Sequence, residues 1–121
     1  MTKRILVVED QEDSRRILRD FLTSADYEIM EAVNGEEALT AAATQRPDLI
    51  LMDIQLPIMD GYEATRRIKA DPTLTHVPVI AVTSYALSGD GAKARAAGCD
   101  DFVPKPYSPR QLLAKIRQLL R

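Results

Sequence analysis

The residues of this chain that could carry chemistry are few and regularly placed. They are an acidic pair, Glu9-Asp10; a third acid, Asp53; a hydroxyl pair, Thr83-Ser84; and one lysine, Lys105, set between Pro104 and Pro106. Each closes or follows an apolar run: Ile5 to Val8 before Glu9, Leu49 to Met52 before Asp53, Val79 to Val82 before Thr83, and Phe102-Val103 before Lys105. Uninterrupted runs of this length read as strands buried on both faces, as a parallel sheet requires. Open α/β sheets place their chemistry at the C-terminal ends of the strands, where all of these residues fall. Singly, each has an ordinary reading: Asp53 as a strand stop or helix cap, Thr83 as a cap, Glu9 as an exposed acid, Lys105 as a solvated surface lysine.

Together they say more. In a doubly wound sheet of order 2-1-3-4-5 the first and third strands are neighbours at the switch point, so the three acids converge. Three carboxylates in one pocket repel; either one takes up a proton or a cation holds them ionised. All-oxygen ligation with few protein ligands suits Mg²⁺ (or Mn²⁺), which also binds phosphate groups. A hard divalent ion is therefore expected beside Asp53. A carboxylate with such an ion, a hydroxyl and an ammonium around it is a site for accepting a phosphoryl group. The transferred group needs its oxygens neutralised on both sides, and Lys105 offers a compact charge for a tetrahedral oxyanion. Thr83 can donate its hydroxyl to the same group.

The elements that position these residues are legible. After the first strand, Ser14, Ile17, Leu18, Phe21, Leu22 and Ala25 follow the spacing of an amphipathic helix. Tyr27 to Ala32 reads as a weaker second strand. Asn34, with Glu37 three residues on, forms a capping-box pattern for a helix that ends before Pro47. After the Leu56-Pro57-Ile58-Met59 loop, Asp60 and Glu63 repeat the pattern for a helix to about Ala70. Gly89 to Ala97 reads as a fourth helix stopped by Gly98, and Ser108-Pro109-Arg110-Gln111 opens a last one. Leu112, Leu113, Ile116, Leu119 and Leu120 form the apolar face of that last helix. Five strands alternating with five helices predict an α/β fold, a flavodoxin-like doubly wound parallel sheet covered on both faces.

At 121 residues the chain is long enough for one domain with a full core, and its 45% hydrophobic and 28% charged content is ordinary for a globular protein. A formal charge of -2 gives no broad basic field, so direct nucleic-acid binding is not expected. Cys99 is the lone cysteine and reads as a buried structural thiol; His76 reads as a loop residue. Lys3-Arg4 precedes only four apolar residues, too few for a signal peptide or a membrane span, and a cytoplasmic location is the default expectation.

The set Val8-Glu9-Asp10, Met52-Asp53, Leu56-Pro57-Ile58-Met59-Asp60-Gly61, Val82-Thr83-Ser84 and Lys105-Pro106 resembles the receiver domain of two-component response regulators. The match runs through nearly the whole chain, which implies one receiver domain over residues 1–121. The resemblance implies that Asp53 accepts phosphate from a phosphohistidine on a sensor histidine kinase or histidine phosphotransfer protein. It implies that Asp10, Asp53 and the backbone carbonyl of Gln55 ligate Mg²⁺, with Glu9 acting through water. It implies further that Lys105 pairs with the phosphoryl group, that Thr83 moves to bond it, and that the Lys105-Pro106 peptide is cis. Phe102 holds the position of an inward-rotating aromatic that is often tyrosine; lacking the hydroxyl, it would switch by packing alone. On sequence grounds Phe102 also reads as a plain core residue.

The expected role is a phosphorylation-controlled binding module, not an enzyme beyond its own phosphoryl transfer and hydrolysis. A downstream effector protein is expected on the face of the fourth helix, fifth strand and fifth helix. The phosphodonor is expected over the first helix and the Lys105 loop, where Gln11, Ser14, Pro106 and Tyr107 lie. Tyr85 and Gln55 stand at the mouth of the site, and a bulky Tyr85 is expected to slow hydrolysis. The start at Met1 suggests a stand-alone regulator, against a receiver cut from a longer hybrid kinase or regulator. A haloacid-dehalogenase-type phosphatase would need an acid where Gln55 stands. A nucleotide binder on the same sheet would meet repulsion from Glu9 to Asp13. A degenerate receiver would lack a site residue, and none is missing.

Overall fold

In the computed structural model, residues 2–83 and 90–120 are described. The elements alternate strictly: β1 (Arg4–Val8), α1 (Glu12–Ser24), β2 (Glu28–Ala32), α2 (Gly35–Gln45), β3 (Leu49–Asp53), α3 (Gly61–Ala70), β4 (Val79–Thr83), α4 (Asp90–Ala97), β5 (Asp101–Pro104) and α5 (Pro109–Leu119). The strands form one five-stranded sheet in the order β2-β1-β3-β4-β5, with the described pairs parallel. Val8 pairs with Met52 and Asp53 with Val82, so β1, β3 and β4 end side by side.

The central strands are apolar without alternation because both faces are covered. Leu6, Val8, Ile50, Met52, Val79 and Ala81 face a core shared with α2, α3 and α4. Ile5, Val7, Leu49, Leu51, Ile80 and Val82 face the opposite core, closed by Leu18 and Leu22 of α1 and Leu112 and Ile116 of α5. Truncating a fully buried leucine such as Leu51 would cost about 3 kcal/mol through lost transfer energy and a residual cavity.

The helix starts follow the capping signals. Asn34 Oδ1 accepts from the Glu37 N–H at 2.8 Å, Asp60 Oδ1 from the Glu63 N–H at 2.9 Å, and Ser108 Oγ from the Gln111 N–H at 3.4 Å. Each such cap is worth about 1 kcal/mol. The reciprocal bond of the first box differs by one residue: the Glu37 carboxylate takes the Val33 N–H, at 3.0 Å, in place of the N-cap N–H. Gly98 ends α4 at φ +104, where a side chain would be strained.

α1 departs from its predicted stripe. Leu18 and Leu22 are buried, but Ile17 is 66% exposed on the rim. Leu18 and Leu22, one i, i+4 step apart, meet the sheet with Phe21 packed partly buried beside them, and Ile17 falls to the side of that row. Among the described residues no helix is long and apolar enough to cross a membrane.

Candidate functional site

Glu9, the residue after β1, is 3% exposed, and every polar group it brings inward is matched. Its backbone N–H donates to Ala32 O at 3.0 Å, and its carbonyl accepts from the Arg15 guanidinium at 3.0 Å. Its carboxylate accepts from the Gln11 N–H at 3.2 Å and from Lys105 Nζ at 3.1 Å. Asp10 follows and turns outward to the exposed edge of the cleft.

Asp53 closes β3 and is 4% exposed. Its Oδ1 accepts from the Gln55 N–H at 3.1 Å and its Oδ2 from Lys105 Nζ at 3.4 Å. The helix beyond sits tightly against it: a Cβ added at Gly61 would lie 2.3 Å from the Asp53 carbonyl oxygen. Only a residue without a side chain lets α3 start there.

Thr83, at the end of β4, is 1% exposed, and its Oγ1 accepts from Gln55 Nε2 at 3.1 Å. Its carbonyl accepts from the Lys105 N–H at 2.8 Å, so the backbone that carries the lysine is tied to the end of β4. The Lys105-Pro106 peptide is cis, as the resemblance implied.

One carboxylate oxygen each from Glu9, Asp10 and Asp53 lies within 4.8 Å of the other two. Their crowding is visible in the acid at the edge. Desolvation first, then the hydrogen bond and charge of Glu9, hold the Asp10 carboxyl above its ordinary pKa, against the pull of its own N–H and Lys105. For Lys105, burial acts to lower the pKa, but Asp53 and Glu9 outweigh it and the ammonium is held above its ordinary value. Tyr107, half-buried and near Glu9, has its phenol pushed up to about 12, by burial first and by the Glu9 charge second. Two buried carboxylates, Glu9 and Asp53, thus share one bonded ammonium, and a third, Asp10, stands beside them at the exposed edge of the cleft. That donor set fits a hard divalent cation, which would remove the repulsion without displacing a core side chain.

The sequence residues Glu9, Asp10, Asp53, Gln55, Thr83 and Lys105 are therefore brought together. Phe102 lies outside this cluster, half-buried against the α2–α3 core, and Ser84 and Tyr85 lie outside the described residues. Sequence reasoning missed Arg15, which reaches back six residues to Glu9, and the bond from the Gln55 side chain to Thr83, having placed Gln55 only at the mouth of the site and its carbonyl on the ion. A helical arginine beside acids gives no signal of a backbone target. A glutamine two residues past a strand end hints at contact with the next strand only once the sheet order is known.

Between α1 and the Lys105 loop a cavity of about 520 Å³ opens beside Asp53, walled by Ser14, Ile17, Leu18, Pro106 and Tyr107. His76 is exposed and Cys99 is buried, with its sulfur 3.8 Å from Thr65 Oγ1.

The sequence profile of the response regulator receiver domain matches residues 5–117. The chain belongs to the response regulator receiver family. Phosphorylation-dependent switching in two-component signalling is the role of these receivers. The receiver is 43% identical over 120 residues to the polar-differentiation response regulator DivK of Brucella anthropi, a match covering 99% of this chain and 98% of that one. It is similar in structure to the receiver domain of a sensor histidine kinase from Pseudomonas aeruginosa PAO1, at 36% identity and a TM-score of 0.92 over 99% of this chain and 98% of that one. That structure has a magnesium ion coordinated in its active site cleft. The chemotaxis protein CheY4 of Vibrio cholerae is also similar, at 27% identity and a TM-score of 0.93, covering 99% of this chain and 100% of that one. Receiver domains bind Mg²⁺ at an acidic pocket, and the acids gathered here form such a pocket.

Proposed function

We propose that Asp53 is the phosphoacceptor of this receiver, and that residues 1–121 act as one phosphorylation-driven switch. The observation that carries the reading is Lys105 Nζ bridging Glu9 at 3.1 Å and Asp53 at 3.4 Å inside a cluster of three acids. An Asp53 oxygen attacks the phosphorus of a phosphohistidine; the P–N bond breaks, and its electron pair leaves with the imidazole nitrogen, which then takes a proton. Lys105 exchanges its carboxylate partners for the incoming phosphoryl oxygens, and Thr83 donates its hydroxyl to one of them. Asp10, Asp53 and the Gln55 carbonyl would hold Mg²⁺ (or Mn²⁺) directly and Glu9 through water. When bound, the ion neutralises charge on the transferred group.

The phosphodonor is a sensor histidine kinase or a histidine phosphotransfer protein. It docks over α1 and the Lys105 loop, where Gln11, Ser14, Pro106 and Tyr107 border Asp53 and the cavity supplies apolar walls. The downstream effector protein binds the α4–β5–α5 face, bordered by Thr83 and Phe102. The chain makes no direct nucleic-acid contact and works in the cytoplasm, whether alone or as the receiver of a longer protein. It is a regulator whose own chemistry is self-phosphotransfer and autodephosphorylation. A haloacid-dehalogenase-type phosphatase finds no support, because Gln55 offers an amide bonded to Thr83 where that chemistry needs an acid.

Incubation with a small-molecule phosphodonor, with and without Mg²⁺, tests this by intact mass. The parent should gain one phosphoryl group only with the ion present, and Asp53→Ala none. Equal labelling of the two proteins would overturn the assignment.

A further inference from the structure

Gln55 touches both ends of the switch. Its backbone N–H donates to Asp53 Oδ1 at 3.1 Å, and its side-chain amide donates to Thr83 Oγ1 at 3.1 Å. The first contact is on the carboxylate that reacts and the second on the hydroxyl that responds, in the reading of Asp53 and Thr83 given above. We propose that the Gln55 amide is a latch that holds Thr83 in its resting rotamer, and that phosphorylation of Asp53 works against this bond.

Three observations carry the proposal. Thr83 is 1% exposed, so the hydroxyl end of the bond is shielded from water although the Gln55 amide is half-exposed, and the bond fixes direction as well as distance. A threonine χ1 has few staggered choices, so one added bond selects among discrete positions and does not merely tilt the side chain. The latch also sits on a short lever: only Ile54 separates Asp53 from Gln55, and the Ile54 N–H is pinned to Val82 O at 3.0 Å. A change in what Asp53 Oδ1 accepts is therefore felt first by the residue that grips Thr83. Gln55 is accordingly a positioning residue that acts through Thr83.

The test substitutes Gln55→Met, close in volume and without a donor, in a half-exposed position that the fold tolerates. In the unphosphorylated protein, three-bond couplings to the Thr83 γ2 methyl group report its χ1. The latch predicts a shift of rotamer population relative to the parent; an unchanged population overturns it. With a small-molecule phosphodonor and Mg²⁺, release of the latch should raise the rate of phosphoryl uptake about fivefold, the worth of one neutral hydrogen bond. The same substitution in a Thr83→Ala background should leave the rate unchanged. An equal change in both backgrounds, or a slower rate in the first, overturns the latch. Absence of uptake by the parent would sink the reading of Asp53 instead, while the Thr83 rotamer would still decide the role of Gln55.

Discussion

The two edges of the sheet handle charge in opposite ways. At the edge where the strands begin, acids and bases are matched and tied to backbone. Asp100 accepts from Lys69 Nζ at 3.0 Å and from the Val79 N–H at 2.8 Å, and Lys69 also donates to the carbonyls of Thr75 and Val77, at 3.2 and 2.7 Å. Asp48 accepts the Arg4 N–H at 2.8 Å, while the Arg4 guanidinium pairs with Glu28 at 3.5 Å and bonds the Gln45 carbonyl. At the edge where the strands end, Glu9, Asp10 and Asp53 crowd around Lys105. The first arrangement satisfies donors that the strands leave open, so its charges serve the fold. The second has an excess of one sign that no structural need explains, and such an excess marks a site that receives a ligand.

The contrast can be broken by substitution. The largest effect is expected at Gly61, whose replacement by alanine drives a methyl into the Asp53 carbonyl. Gly61→Ala should lose about 3 kcal/mol of stability in urea denaturation. Next comes the matched edge: Asp100→Ala leaves the Val79 N–H without its acceptor and Lys69 with two carbonyls but no counter-charge. It should cost about 2 kcal/mol, with phosphoryl uptake kept at the parent rate. A loss of uptake there would erase the division of labour between the edges.

Asp10→Asn, by contrast, should gain about 0.5 kcal/mol in chelator, because it relieves repulsion by Glu9, and the gain should disappear when Mg²⁺ is supplied in excess. A loss of stability in chelator would mean that the acids are not in conflict. The smallest readout is Cys99, beside Asp100 and 7% exposed, its thiol pushed above its ordinary pKa by burial first, with Asp100 adding to the rise and Thr65 and Lys69 opposing it. Alkylation of native Cys99 should be slow, faster in Asp100→Ala and unchanged in Asp10→Asn.

Much of this was legible in the residues. The apolar runs gave the strands because a doubly covered sheet leaves no room for alternation, and the caps at Asn34, Asp60 and Ser108 were each realised by the bond that their spacing predicts. The acids and Lys105 could be assigned to one cleft from strand ends alone, since a doubly wound topology fixes which ends are adjacent. What escaped depended on side-chain reach. Ile17 kept helical spacing yet points to the rim, because periodicity does not say where a partner surface stops. The amide of Gln55 and the guanidinium of Arg15 find partners that only folded distances reveal. Glu9 proved to be the first partner of Lys105, a pairing across 96 positions that local pattern cannot carry.

Ile58 is 97% exposed in the loop after β3 and holds φ +69, a left-handed setting that β-branched residues adopt only under strain. Its side chain gives almost nothing back to the core for that torsional burden. A hardier version of the chain could therefore be sought by changing a single surface residue, Ile58→Asn, which suits this backbone and leaves the cleft chemistry untouched.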